Sequence, residues 1–113
     1  MGLFSIGKKK KNEDQLNVDN ELMSDKIIFE NLLTDEDQYI TGLAEKMING
    51  HPLILNFEPL DIDQANKVIA FLSGVIYAIH GEIANVQEKV FMFAASDVYD
   101  DGSMEEFLKD VVE

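Results

Sequence analysis

The chain has 113 residues with 46% hydrophobic composition and no cysteine, so it is long enough for one folded domain and contains no disulfide or thiolate metal ligand. Its formal net charge is −13, and because residues 1–11 hold four lysines and no acid, residues 12–113 carry −17. Since this acidic body contains no arginine, we expect it to bind no nucleic acid.

The N-terminal segment, MGLFSIGKKKK, joins an apolar tip to a lysine run. Apolar side chains can bury in a bilayer surface, and each nearby lysine adds about 1 kcal/mol beside anionic lipid. The pattern favours a weak, reversible membrane anchor that gains avidity in a dimer, and a solvated lysine run is the alternative. Its charges follow a short apolar stretch, so it is not a signal peptide. The expected membrane-binding residues are Leu3, Phe4, Ile6, Lys8, Lys9, Lys10 and Lys11.

The next segments predict a linker, a strand and a helix. Residues 12–25 are polar and acidic without a clear period, which indicates a flexible linker. Residues 26–33, KIIFENLL, predict a first strand because the centre is β-branched and aromatic. Thr34 and Asp37 resemble a capping box, after which apolar residues recur at helical spacing. We therefore expect the folded core to span residues 26–113.

A central strand and a second helix follow. Residues 53–57, LILNF, form an apolar run bounded by prolines, which predicts a buried strand. The helix is expected to begin at Asp61, where acids complement the helix dipole, and to stop at Gly81. Its apolar arc includes Phe71 and Ala78 and is wider than one sheet requires, which implies a second partner surface.

The last third predicts two strands, residues 82–86 and 89–95, joined by a tight turn at residues 87–88. Residues 98–99 predict a further short strand, and Ser103 is expected to cap a final amphipathic helix. The order β-α-β-α-β-β predicts an α+β sandwich with two helices on one face of a small mixed sheet, plus a C-terminal helix.

Residue patterns typical of enzymes and metal sites are missing from the sequence. His51 and His80 lie at element ends, and the glycines form no phosphate-binding motif. The acidic stretch from Asp97 departs from a calcium-binding loop, because Tyr99 and Leu108 stand where oxygen ligands belong. We therefore expect no catalysis, no metal and no cofactor.

The stretch LILNF followed by ANKVIAFLSGVIYAIHGEI resembles the core of the SepF cell-division proteins, and the resemblance covers residues 26–99. It implies a non-catalytic adaptor with an N-terminal anchor, a linker and a homodimerising core. In that family the core binds the C-terminal peptide of the tubulin-like division protein FtsZ. The resemblance therefore implies a peripheral protein on the cytoplasmic face of the cell membrane at the division site.

Candidate residues follow from the position of each residue within this motif and from packing. Lys67, Phe71 and Phe91 are the expected contacts to the FtsZ peptide, since an aromatic anchor beside a charge is typical hot-spot chemistry. Glycine and alanine allow close approach of two helices. The expected dimer contacts are Phe71, Gly74, Ala78 and Phe93. Each phenylalanine could instead belong to the core, and Lys67 could be solvated.

The sequence departs from the family pattern at three positions. Lys67 stands where arginine is usual, Ala70 replaces a common aspartate, and His80 replaces the first glycine of a frequent pair. If that glycine serves contacts between dimers, His80 disfavours polymerisation and indicates an archaeal or divergent member. An alternative function is a dimeric ferredoxin-like sensor of a small molecule, which the element order also allows.

Overall fold

The computed structural model describes residues 22–111. Its strands are β1 (Ile28–Asn31), β2 (Leu53–Asn56), β3 (Gly81–Gln87) and β4 (Val90–Ala95). Its helices are α1 (Asp37–Ile48), α2 (Ile62–Ala78) and α3 (Ser103–Val111), with two 3-10 segments, Met23–Lys26 and Ser96–Tyr99. The chain order is therefore β1-α1-β2-α2-β3-β4-α3, as predicted. The expected membrane-binding residues and most of the expected linker lie outside the described residues.

The four strands form one mixed sheet in the order β1-β2-β4-β3. The β1 and β2 strands run parallel, whereas β4 lies antiparallel to both β2 and β3. Leu53 is paired with Phe93 and Ile54 with Met92 across the centre of the sheet. Because side chains alternate along a strand, these two pairs supply opposite faces of the sheet.

Two apolar clusters cover the two faces. The helices α1 and α2 pack on the face that carries Leu53 and Phe93. The two helices and this face of the sheet together form one buried apolar cluster. The opposite face carries Ile54 and Met92, which cluster with Met104 of α3. The prediction of two helices on one face of a mixed sheet, plus a C-terminal helix, is therefore confirmed. Within residues 22–111 no helix is long and apolar enough to cross a membrane.

The start of α1 differs from the predicted capping box. The residue before the helix is Glu36, and it makes no capping hydrogen bond with its side chain. Thr34 lies two residues earlier, and its Oγ1 accepts a hydrogen bond of 3.1 Å from the Glu36 backbone N–H. Thr34 therefore stabilises the turn before α1. The strand β1 is also shorter than the predicted residues 26–33.

The helix α2 begins as predicted but ends earlier. Asp61 Oδ1 accepts from the Gln64 N–H at 2.8 Å, and Gln64 Oε1 accepts from the Asp61 N–H at 3.1 Å, which completes a capping box. The chain leaves the helix through His80, whose φ is +58°. Gly81 is the first residue of β3, so the prediction that it stops the helix is wrong.

Four further assignments differ from the sequence prediction. Residues 98–99 belong to a 3-10 segment and not to a strand, with Val98 buried under the sheet. The β3–β4 turn lies at residues 88–89, one residue later than predicted. Ser103 is the first residue of α3 and not its cap. Its N–H donates to Asp101 Oδ1 at 2.9 Å. Met23–Lys26, largely in the predicted linker, forms an ordered turn beside α3.

Substitution of Gly81 tests the close packing at the end of α2. A Cβ at this position would collide with the Ala94 carbonyl oxygen and lie 2.9 Å from Ile76 Cδ1. We expect Gly81→Ala to lower the free energy of unfolding by about 1–3 kcal/mol, as overpacking does. The measurement is urea denaturation. Gly42→Ala is the matched control, because a Cβ there meets nothing within 4 Å. Equal stability of the two variants would contradict this packing.

Candidate partner-binding surfaces

The helix α2 divides its surface into one buried stripe and two exposed flanks. Val68, Leu72 and Ile76 form the buried stripe against the sheet. On one flank lie residues spaced three or four apart, which share a side of a helix. These residues are Lys67, Phe71, Gly74 and Ala78. We call this set the α2 stripe; it lies on the side toward the start of α1.

Lys67, at the N-terminal end of the α2 stripe, pairs with two carboxylates. Its Nζ lies 3.0 Å from Asp37 Oδ1 and 3.7 Å from Asp35 Oδ2. The hydrogen bond to Asp37 is the largest effect on the Lys67 ammonium group and raises its pKa; desolvation opposes this rise, and the charges of Asp35 and Asp37 add to it. The lysine side chain is 46% exposed, so water screens these pairs. The positive charge of Lys67 is nevertheless already paired with two carboxylates of the same chain.

The rest of the α2 stripe is a smooth, accessible surface. Phe71 is 38% exposed, Gly74 and Ala78 are also exposed, and nothing lies within 4 Å of a Cβ placed on Gly74. Such a surface can accept a second helix closely. Phe93, the fourth expected dimer contact, lies in the core at 1% exposure, with its ring centroid 6.2 Å from that of Phe57. It therefore offers almost no surface to a second subunit.

On the opposite flank of α2, a small open pocket separates the helix start from β4. Its volume is about 180 Å³. Its lining is mostly apolar and consists of Phe57, Leu60, Asp61, Ile62, Ala65, Ile69, Lys89 and Phe91. The rings of Phe57 and Phe91 meet edge to face, with centroids 5.7 Å apart, and Ile62 is 78% exposed at the rim. We call this the α2–β4 pocket.

One cation belongs to the rim of the α2–β4 pocket. Lys89 lies in the β3–β4 turn with φ at +63°. Few residues other than glycine and asparagine adopt this backbone conformation readily. Its Nζ is 3.5 Å from Glu58 Oε1, and both side chains are more than half exposed. The pocket thus combines aromatic walls with an exposed charged side chain at its edge.

The structure does not bring the three expected peptide contacts together. Phe91 lines the α2–β4 pocket, whereas Lys67 and Phe71 lie on the other flank of α2. Sequence reasoning missed Lys89 and Ile62. The sequence signal that could have identified Ile62 is an isoleucine between two aspartates in the first turn of α2. The orientation of Lys89 depends on the turn geometry, which the sequence pattern did not reveal.

Within residues 22–111, no group of three or more histidine, cysteine, aspartate or glutamate side chains is placed to hold a metal ion. His51 Nδ1 lies 2.9 Å from the Lys26 carbonyl oxygen and joins the chain before β1 to the chain before β2. This contact gives His51 a structural role.

Comparison with known proteins identifies relatives of the chain. The family described as cell division protein SepF matches residues 33–99, a range that contains both flanks of α2. A cell division protein SepF of Carboxydothermus hydrogenoformans is 32% identical over 81 residues, which are 72% of this chain and 57% of that protein. One of Alkaliphilus metalliredigens is 31% identical over 107 residues, 95% of this chain and 70% of that protein.

A solved structure has the same fold. A SepF-like protein from Archaeoglobus fulgidus aligns with a TM-score of 0.55 at 11% sequence identity, covering 62% of this chain and 84% of that one. The chain spans little more than half the length of the Carboxydothermus relative. The family match covers over half of this chain and the Alkaliphilus relative nearly all of it, so the chain belongs to the SepF family of cell-division proteins.

Proposed function

We propose that this chain tethers FtsZ filaments to the cytoplasmic face of the cell membrane at the division site, as a non-catalytic homodimer. Residues 1–11 bind anionic lipid, and the core binds the C-terminal peptide of FtsZ. The role in cell division follows from family membership. The assignment of the two binding activities to particular surfaces rests on the sequence of the tail and on the geometry around α2.

The α2–β4 pocket is the observation that carries the peptide proposal. Its volume of about 180 Å³ is below the roughly 300–1,000 Å³ typical of small-molecule sites. It can take one or two apolar side chains of a peptide, while the rest of the peptide lies across the surface. Aromatic walls beside Lys89 are typical of a peptide hot spot.

The α2 stripe supports the homodimer. Gly74 and Ala78 lack bulk, and Phe71 adds an apolar contact beside them, so two α2 helices can pack closely across a twofold axis. The α2–β4 pocket is on the other flank of the helix and stays open in such a dimer. Each dimer then presents two peptide pockets and two lipid-binding tails.

Avidity explains why weak individual contacts suffice. Three apolar residues and four lysines give a short tail a modest, reversible attraction to anionic lipid. In a dimer the second insertion becomes intramolecular, which strengthens binding without any new contact. An FtsZ filament that engages many dimers extends the same effect along the membrane.

The pocket proposal predicts the effect of a change at its rim. Ile62 is 78% exposed, so Ile62→Asp leaves the core intact and places a charge where an apolar peptide side chain enters. We expect the variant to bind a synthetic FtsZ C-terminal peptide at least about fivefold more weakly, a loss of roughly 1 kcal/mol that only a minority of interface residues exceed when they are truncated. Isothermal titration calorimetry measures it.

Two further variants make that measurement decisive. Leu33→Asp introduces the same charge at a residue that is 77% exposed near β1, and its peptide affinity should equal that of the unsubstituted chain. Phe71→Ala changes the opposite flank of α2. Normal binding by Ile62→Asp together with weak binding by Phe71→Ala would place the peptide on the α2 stripe instead.

The lipid proposal predicts that residues 1–11 are necessary for vesicle binding. The full chain should co-sediment with vesicles containing phosphatidylglycerol, whereas a chain lacking these residues should remain in the supernatant. Replacement of Lys8, Lys9, Lys10 and Lys11 by glutamine should weaken binding by about 1 kcal/mol per lysine at low salt. Equal pelleting of the full and shortened chains would refute this anchor.

A further inference from the structure

An apolar patch remains exposed on the face of the molecule that α3 covers. Phe29 of β1 is 60% exposed, and its ring contacts Phe107 of α3 edge to face, with centroids 6.1 Å apart. Leu22, at the start of the described chain, is 47% exposed. We call the Phe29–Phe107 pair the β1–α3 patch. Within residues 22–111 the Phe29 ring stays mostly exposed, and Phe107 is half-buried against the apolar cluster on this face.

The surroundings of the β1–α3 patch are acidic. Residues 22–26 and 97–111, which form and border it, contain seven acidic residues and two lysines. Asp25, Glu106 and Asp110 are exposed in these segments, and Asp110 lies three residues after Phe107, on the same side of α3. Lys109 is paired with Glu106 at 3.9 Å, which leaves the other acids largely uncompensated. The occupant that fits this surface is apolar and positively charged.

The N-terminal segment of the chain departs from this same place. The Met23 N–H donates to Asp101 Oδ2 at 2.8 Å, and the Ser24 N–H donates to Ser103 Oγ at 3.0 Å. These bonds fix the chain beside the first turn of α3. The residues that precede Leu22 therefore start their path at the edge of the β1–α3 patch.

The spacing makes an intramolecular contact accessible. Ten residues, 12–21, separate Lys11 from Leu22, and a chain of that length reaches at most roughly 36 Å even when fully extended. Such a short connection gives an effective concentration on the order of millimolar. A contact with a dissociation constant of about 1 mM between separate molecules would then be formed about half of the time.

We propose that residues 1–11 dock on the β1–α3 patch of the same chain when no lipid is present. The apolar side chains of Leu3, Phe4 and Ile6 cover Phe29 and Phe107, and the lysine run pairs with the acids of α3. A second copy of the core is a poorer occupant. The segments that border the patch, residues 22–26 and 97–111, carry seven acids and two lysines, so two copies of this surface placed face to face repel each other locally.

Docking regulates membrane attachment, a consequence that rests on the proposed lipid binding of residues 1–11. The same apolar and basic side chains cannot contact the patch and the bilayer together. The apparent affinity for lipid is therefore reduced by the fraction of chains with a free segment. Anionic lipid, especially when several tails act together, displaces the segment and exposes the β1–α3 patch.

A spin label in the N-terminal segment tests whether this segment docks on the β1–α3 patch when no lipid is present. Because the chain contains no cysteine, Ser5→Cys accepts a single nitroxide. At low salt the label should broaden the amide signals of Phe29 and Phe107, and 0.5 M salt should remove the effect. The triple variant Asp25→Asn, Glu106→Gln, Asp110→Asn should weaken the broadening severalfold. Its control is Glu36→Gln, Glu45→Gln, Glu88→Gln, which changes net charge equally at exposed sites elsewhere.

Other outcomes overturn the proposal. Broadening centred on Ile62 and Phe91, or none at all, would show that the segment does not dock on the β1–α3 patch. Broadening that persists when labelled and isotope-enriched molecules are separate chains in a mixture would make a second copy the occupant. On phosphatidylglycerol vesicles, the patch variant should bind about twofold more tightly than the control variant, because release of the docked half of the segments doubles the free fraction, and equal affinity would refute competition with lipid. If neither variant binds vesicles, the proposed anchor fails, while the lipid-free spin-label measurement still decides docking.

Discussion

The packing of one side of α2 against the sheet is the constraint on which the other features depend. Val68 and Leu72 are fully buried and Ile76 is 7% exposed, and complete burial of such side chains stabilises a fold by about 1.5–3 kcal/mol each. This packing fixes the rotation of the helix. Once it is fixed, the α2 stripe and the α2–β4 pocket must lie on opposite flanks, and two partners can be bound without competition.

Local signals in the sequence predicted the architecture well where a short-range interaction determines it. The Asp61 capping box needs only Gln64 three residues later, and the apolar runs of β2 and β4 need only burial on both faces of the sheet. The candidate site depends on longer-range geometry. Periodicity places Lys67 and Phe71 together, but it does not show that α1 lies beside them and Phe91 on the other flank.

The connection from α2 to β3 shows why a family pattern needs structural interpretation. His80 stands where a glycine pair is frequent in the family that this chain resembles, and its φ is +58°, a conformation that costs about 1–2 kcal/mol in residues with a Cβ. Gly81 is required because its neighbours leave no room for a side chain. Both positions thus have a local reason to be glycine, and histidine at position 80 does not by itself argue against assembly of dimers.

In the proposed complex, the α2–β4 pocket, and not the α2 stripe, receives the FtsZ peptide. Nuclear magnetic resonance titration of the isotope-labelled full chain with that peptide tests it most directly. A peptide in the pocket predicts saturable shifts of the amide signals of Ile62, Lys89 and Phe91, with Lys67 and Phe71 little changed. Shifts confined to Lys67, Phe71 and Gly74 would contradict the claim.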